Sequence, residues 1–201
     1  MLSVIAVSAQ DGEQSGMIKS AKGVLVVWNE PGNYFTIEVV GDTIKPAGQP
    51  PPILFQVDGM FLQIQTTETE PFLKDSKIKN PDDKTILSAH RDWEANYSEG
   101  IFGSKVKVDS EWIKLPNGSD ALAWGFDIPK KFIADNKSSA TRQLFLTVVK
   151  RGRVFVLNSA VEANNDEKKL RKLMGDTLNT MKSSDKPLSL KAAAEQVLKE
   201  K

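Results

Sequence analysis

Across residues 23–161 the chain alternates short apolar runs with turn residues, and the runs come in pairs. Residues 23–28 and 34–40 flank Asn29-Glu30-Pro31-Gly32-Asn33, where Pro31 presets φ and Gly32 tolerates a positive one. That spacing predicts a first hairpin. In residues 53–66 the pair Asp58-Gly59 is a two-residue turn signal, and it sets a register that the side chains can check. Val57 then faces Met60, Phe55 faces Leu62 and Ile53 faces Ile64, so six apolar side chains share one face. The other face carries Gln56, Gln63 and Gln65 with Leu54 and Phe61, a half-wet surface. Residues 142–150 and 153–161 meet at Arg151-Gly152, with apolar residues on both faces: Leu144, Leu146, Val148, Phe155 and Leu157 on one, Phe145, Thr147, Val149, Val154 and Val156 on the other. Strands hidden on both sides belong in the middle of a sheet.

Residues 106–115 and 120–128 predict another hairpin around Asn117-Gly118. Leu122, Trp124, Phe126 and Ile128 share a face, but simple pairing sets Glu111 and Asp109 opposite Trp124 and Phe126. A β-bulge near Trp112-Ile113 would turn the strand and relieve that conflict. The second strand's other face is Ala121, Ala123, Gly125 and Asp127, small enough for a helix or ligand to approach closely.

The apolar spacing changes to a helical period twice. Asn80-Pro81-Asp82-Asp83 reads as a helix start, Asn80 capping and Pro81 in the first turn, with a helix running to about Ser98 and Gly100 placed to end it. Its stripe is Ile86, His90, Trp93 and Tyr97, flanked by Leu87 and Ile101. Later, Asn164 and Glu167 have capping-box spacing before Leu170, Leu173, Met174, Leu178 and Met181, the pattern of a core helix. Gly175 within it suggests tight packing at that point. Beyond Pro187, residues 188–201 predict a short amphipathic helix through Leu190, Ala194, Val197 and Leu198. The Pro50-Pro51-Pro52 run reads as a stiff spacer.

These elements predict an α+β fold, a largely antiparallel sheet of hairpins flanked by helices. The expected organisation is a disordered or truncated signal segment over residues 1–22, one domain over 23–183 and an appended helix over 184–201. The signal reading rests on Val7-Ser8-Ala9 before Gln10, a small-residue pattern at the end of a short apolar stretch that lacks a positive start. It points to an extracytoplasmic location, periplasmic or secreted, with a cytoplasmic one as the alternative.

Charge narrows the partners. The 201 residues hold 27 Lys and Arg against 26 Asp and Glu, so no overall field draws the chain to nucleic acid or an anionic membrane. The absence of cysteine excludes a disulfide, a thiolate nucleophile, a cysteine zinc site and a lipid-anchored lipoprotein. No run approaches the roughly 18 apolar residues that span a bilayer.

His90 is the single histidine, which excludes a multi-histidine metal site and makes it the one candidate imidazole base. Its place on a stripe with Trp93 also fits a packed structural residue, and Asp92 and Glu94 beside it fit a solvated helix face. His90, Trp93, Ala123, Gly125 and Asp127 are the candidate ligand-binding residues. Asp109, Glu111, Asp120 and Asp127 lie on one hairpin, in a spacing that matches no metal-loop or glycosidase signature. Lys150, Arg151 and Arg153 form a basic tip, with Lys130, Lys131 and Arg142 near its base, and are candidates for an anion or partner contact. Without interleaved aromatics the tip does not read as a nucleic-acid platform. No phosphate loop, nucleophile elbow or zinc-protease spacing occurs, and no cofactor is expected.

The run Phe145-Leu146-Thr147-Val148-Val149 through Arg153-Val154-Phe155-Val156-Leu157, followed by residues 170–181, resembles the C-terminal hairpin and helix of the PsbP-like superfamily. The resemblance covers about forty residues. It implies an α/β/α sandwich and a binding or accessory role, since relatives include an extrinsic photosystem subunit, a nuclear import factor that binds a small GTPase, and exported bacterial proteins. It carries over no site residue. The expected function is a non-catalytic binding or accessory protein, exported and bacterial, with a protein partner or small ligand. The alternative is a small hydrolase or isomerase using His90 with a nearby carboxylate.

Overall fold

The computed structural model describes residues 4–7, 15–47, 53–74, 79–116, 118–163 and 165–199. Five strands, β1 (Val4–Val7), β2 (Ser15–Lys19), β3 (Gly23–Glu30), β4 (Asn33–Val40) and β12 (Lys182–Ser184), make a small sheet in the order β1-β2-β3-β4-β12. Seven more make a large sheet: β5 (Ile44–Ala47), β6 (Ile53–Val57), β7 (Met60–Glu68), β8 (Val108–Lys114), β9 (Asp120–Asp127), β10 (Ala140–Lys150) and β11 (Arg153–Glu162), in the order β5-β6-β7-β11-β10-β9-β8. The helices are α1 (Glu70–Leu73), α2 (Asp83–Phe102), α3 (Lys130–Asn136), α4 (Glu167–Asn179) and α5 (Leu190–Lys199). The architecture is α+β, and the strand pairings are antiparallel.

Two turns with positive φ at both central residues set the large sheet's register. Asp58 (φ 49) and Gly59 (φ 83) place Val57 opposite Met60, and Arg151 (φ 55) and Gly152 (φ 72) place Lys150 opposite Arg153. Period two then assigns the faces. Phe55, Leu62, Ile64, Leu144, Leu146, Val148, Phe155 and Leu157 meet Trp28, Phe35 and Ile37 of the small sheet and Leu170, Leu173, Met174 and Leu178 of α4 in the main core. The opposite face presents Leu122, Trp124, Phe126, Phe145, Val154 and Val156 to Ile86 and Leu87 of α2, forming a second core. Each fully buried Leu or Phe contributes about 1.5–3 kcal/mol relative to exposure, so either core is enough to fix which way its strands face.

The two sheets are fastened at the β3–β4 turn. Asn33 Nδ2 donates to Thr66 Oγ1 at 2.8 Å, and Arg153 spans Glu68 at 2.9 Å and Glu30 at 3.7 Å. On the far side of the small sheet α5 seats Val197, Leu190 and Ala194 against Ile18, Val27 and Leu25, so the terminal helix docks on the body. The Asn29 side chain holds its approach, accepting from the Leu188 amide and donating to the Leu188 carbonyl, each at 2.8 Å.

Several sequence expectations need correction. Ordered structure begins before Gly23, because β1 and β2 join the small sheet and Ile18 is fully buried. The segment after β4 is an edge strand, β5, which tolerates Pro46 because its outer side has no ladder to feed. Asp82, not Asn80, caps α2: extended at φ −72 and ψ 167, it accepts from the Thr85 amide at 2.8 Å, while Asn80 takes a positive φ of 52 upstream. The helix runs through Gly100 and stops at Gly103, whose φ of 63 suits a residue without Cβ. No bulge interrupts β8–β9. The connection closes with the Leu115 amide on the Ser119 carbonyl, which offsets the register by one residue and pairs Trp112 with Leu122 and Val108 with Phe126. Asp166 caps α4 through the Lys168 and Lys169 amides, and a Cβ on Gly175 would meet nothing within 4 Å, so that glycine marks no close approach. Pro50-Pro51-Pro52, Asn117 and Asn164 lie outside the described residues.

Candidate functional site

The apolar stripe of α2 is buried at its start and exposed further on. Ile86, Leu87, His90 and Ala95 are buried, whereas Trp93, Tyr97 and Ile101 are 39%, 62% and 53% exposed. Residues four apart lie on one face of a helix, so these three form a continuous stripe. Trp93 and Tyr97 run side by side, ring centroids 6.3 Å apart and 14° from parallel. Phe72 of α1 leans over the start of the stripe, 5.4 Å from His90 edge-on and 6.3 Å from Trp93 at 46°. Three aromatic rings thus make a corner, with His90 beneath Phe72.

His90 has 0% exposure, and neither ring nitrogen has a hydrogen-bond partner. Burial pulls its pKa down to about 4, so the imidazole is neutral at pH 7. The nearest carboxylate is Glu94, one turn on, with Oε1 3.8 Å from Nε2, too far for a hydrogen bond. Glu94 is not on a solvated face as the sequence suggested: its side chain is 17% exposed, and burial raises its pKa. Its helix neighbour Asp92 does face solvent, paired with Arg91 at 2.7 Å. Trp124 Nε1, in the layer that α2 covers, is also buried without a partner.

The candidates from β9 lie elsewhere. Alternation sends Trp124 and Phe126 toward α2 and Ala121 and Ala123 into the main core, so Ala123, Gly125 and Asp127 are on the opposite side of the sheet from His90 and Trp93. The five residues form no common cleft. The space above Gly125 is filled, since a Cβ there would stand 2.5 Å from the Gln143 carbonyl oxygen, 3.0 Å from Leu144 Cδ2 and 3.5 Å from an Arg142 nitrogen. Arg142 binds Asp127 at 2.7 Å, Asp109 more closely and Glu167 at 3.5 Å, joining β8, β9, β10 and α4. Three of the hairpin carboxylates, Asp109, Asp120 and Asp127, therefore serve cations of the chain itself, Asp120 pairing with Lys114 at 2.8 Å.

The basic tip is similarly engaged. Lys150 donates to Ser119 Oγ at 3.0 Å, Arg151 pairs with Asp185, and Arg153 with Glu68 and Glu30. Its three cations hold turns together rather than standing free. An open cleft of about 460 Å³ lies between the β2–β3 turn and β5, lined by Met17, Lys19, Val24, Asp42, Ile44 and Lys45 among others, and it includes none of the residues singled out from the sequence. Among the described residues no group of three His, Asp or Glu could hold a metal, and no helix is long and apolar enough to cross a membrane.

The sequence reading overlooked Phe72 and misread Glu94. A one-turn helix carries no periodicity that could have exposed Phe72, whereas the i, i+4 spacing of His90 and Glu94 was available.

No protein-family model and no curated protein matches the chain. Among solved structures it is similar to the solution structure of cyanobacterial PsbP from Synechocystis sp. PCC 6803, at 10% identity and a TM-score of 0.47, covering 89% of this chain and 98% of that one. A likeness at that level carries no argument about function, and the architecture rests on the strand order and register given above.

Proposed function

We propose that this chain is a non-catalytic binding or accessory protein whose contact surface is the outer face of α2, with Phe72 of α1 at one end. The observation that carries the reading is the exposed stripe of Trp93, Tyr97 and Ile101. Scattered exposed apolar residues need no explanation, but three in line on one helix, two of them aromatic, match the composition of protein contact sites. A photo-crosslinking residue at Tyr97, in chain produced in its native host, tests it. The expected result is a discrete adduct at Tyr97 that is absent from an exposed control on α4, Lys168; equal labelling at both would refute the assignment. Export belongs to the same proposal, supported by Val7-Ser8-Ala9, and the mass of the mature N-terminus tests it.

One observation favours a second reading, a hydrolase or isomerase using His90 with a carboxylate: Glu94 is the carboxylate within 3.8 Å. With His90 fully covered, that chemistry requires α1 to lift Phe72 away. Substitution of Phe72 by alanine would then raise the reactivity of His90 toward diethyl pyrocarbonate, with turnover following it; modification without turnover would exclude the enzyme.

A further inference from the structure

We propose that Phe72, Trp93, Tyr97 and Glu94 form a receptor for a cationic side chain, the ammonium of lysine or the guanidinium of arginine, presented by a partner polypeptide. The inference rests on the α2 face being the contact surface and adds the chemistry of what binds there.

The argument begins with an unmatched charge. Among the described residues the ionisable group beside Glu94 is His90, and that imidazole is neutral, so among them this carboxylate lacks a counter-ion. The other acids near it on α2 are matched: Asp92 with Arg91, and Glu99 with Lys105 at 2.6 Å and the Val106 amide at 3.1 Å. A half-buried carboxylate without a cation is costly to keep, and an arriving cation would remove that cost.

The surroundings of Glu94 select the kind of cation. Aromatic faces attract a cation through their quadrupole, and Trp is the strongest of them. Trp93 and Tyr97 flank Glu94 in sequence by one and three residues, and Phe72 closes the corner at 6.3 Å from Trp93. A single carboxylate on the same helix as these rings favours a weakly hydrated organic cation over a metal ion, which would need more oxygen ligands. Length selects the source. From Trp93 to Ile101 the stripe covers nine residues, about 12 Å of helix between the first and the last. A small free ion would leave most of that apolar surface uncovered, whereas a peptide bearing one basic and one apolar side chain spans it.

The test uses Trp93 as its own reporter. In a Trp112→Phe background it is the exposed tryptophan, because Trp28 and Trp124 are 7% and 0% exposed. Emission is followed during titration with a blocked Leu-Lys-Leu-Lys peptide, the same peptide with Glu for Lys, and tetramethylammonium chloride. The lysine peptide is expected to give a saturable change and the glutamate peptide none, with tetramethylammonium much the weaker of the two cations. Glu94→Gln should weaken the lysine peptide roughly tenfold. Tyr97→Ala, a surface change that leaves the core untouched, should weaken it about fivefold. Equal binding of the two peptides would overturn the charge selection while leaving the contact surface standing; no response to either would remove both. Unchanged affinity in Glu94→Gln would overturn Glu94 as the counter-ion, and tetramethylammonium binding as tightly as the peptide would overturn the polypeptide.

Discussion

Removing the imidazole of His90 should abolish a loss of stability on acidification that this side chain builds into the fold. In the native state His90 is fully buried with both nitrogens unpaired, and burial alone lowers its pKa from 6.5 to about 4. The unfolded chain therefore binds a proton between those values that the folded chain refuses, so stability is full above about 6.5 and declines as the pH falls toward about 4. The difference corresponds to about 3 kcal/mol, a large part of the 5–15 kcal/mol typical of a domain. Glu94 works in the opposite sense. Burial raises its pKa, so its contribution is present at low pH and fades as the pH rises through the raised value. His90 is the more deeply buried of the two and should dominate. The assay is urea unfolding of the wild type and His90→Leu at pH values stepped through this window. At neutral pH the variant should be as stable as the wild type or more so, because leucine leaves no buried nitrogen unsatisfied. Below 6.5 the wild type should weaken and the variant should hold steady or gain slightly. Parallel losses in both proteins would refute the reasoning and assign the acid sensitivity to other groups.

Two further outcomes follow from the packing on the other side of the sheet. Gly125→Ala places a methyl 2.5 Å from the Gln143 carbonyl oxygen, a backbone atom that cannot step aside, and should cost roughly 1–3 kcal/mol, read as a lowered Tm. Arg142→Leu removes the cation shared by Asp109, Asp127 and Glu167 and should destabilise the fold by about 1–3 kcal/mol in urea; Arg142→Lys should recover only part, because an ammonium cannot span carboxylates on three elements as the planar guanidinium does.

The elements legible in the sequence are those whose register a two-residue turn dictates. Asp58-Gly59 and Arg151-Gly152 leave no freedom in strand pairing, so simple alternation placed Phe55 and Leu62 in one core and Val154 and Val156 in the other. Around Gly118 the longer connection admits two registers a single residue apart, and the one the chain does not adopt is the one that sets Glu111 and Asp109 opposite Trp124 and Phe126. The start of α2 was ambiguous for a similar reason. Asn80 and Asp82 are both good capping residues, and the choice between them is made by which reaches the Thr85 amide. Strands β5 and β12, of four and three residues, are too short to show a period, and pairing with β6 and β4 is what holds them extended.

The candidate site shows why helical periodicity alone cannot separate a core stripe from a contact surface. Ile86, His90, Trp93 and Tyr97 have the spacing of a core-facing stripe, yet burial fails between His90 and Trp93. The cause lies outside α2. The α2-facing side of β9, β10 and β11 packs Leu122, Trp124 and Phe145 in one cluster with Ile86 and Leu87, and beside His90 stands Phe72 from α1, edge-on at 5.4 Å. Past that ring the stripe runs on over solvent with its aromatic character intact. Had Trp93, Tyr97 and Ile101 served packing within the chain, the rules that hide Ile86 and Leu87 would have hidden them too. Their exposure beside Glu94, which has no cation among the described residues, is the observation on which the proposed contact surface rests.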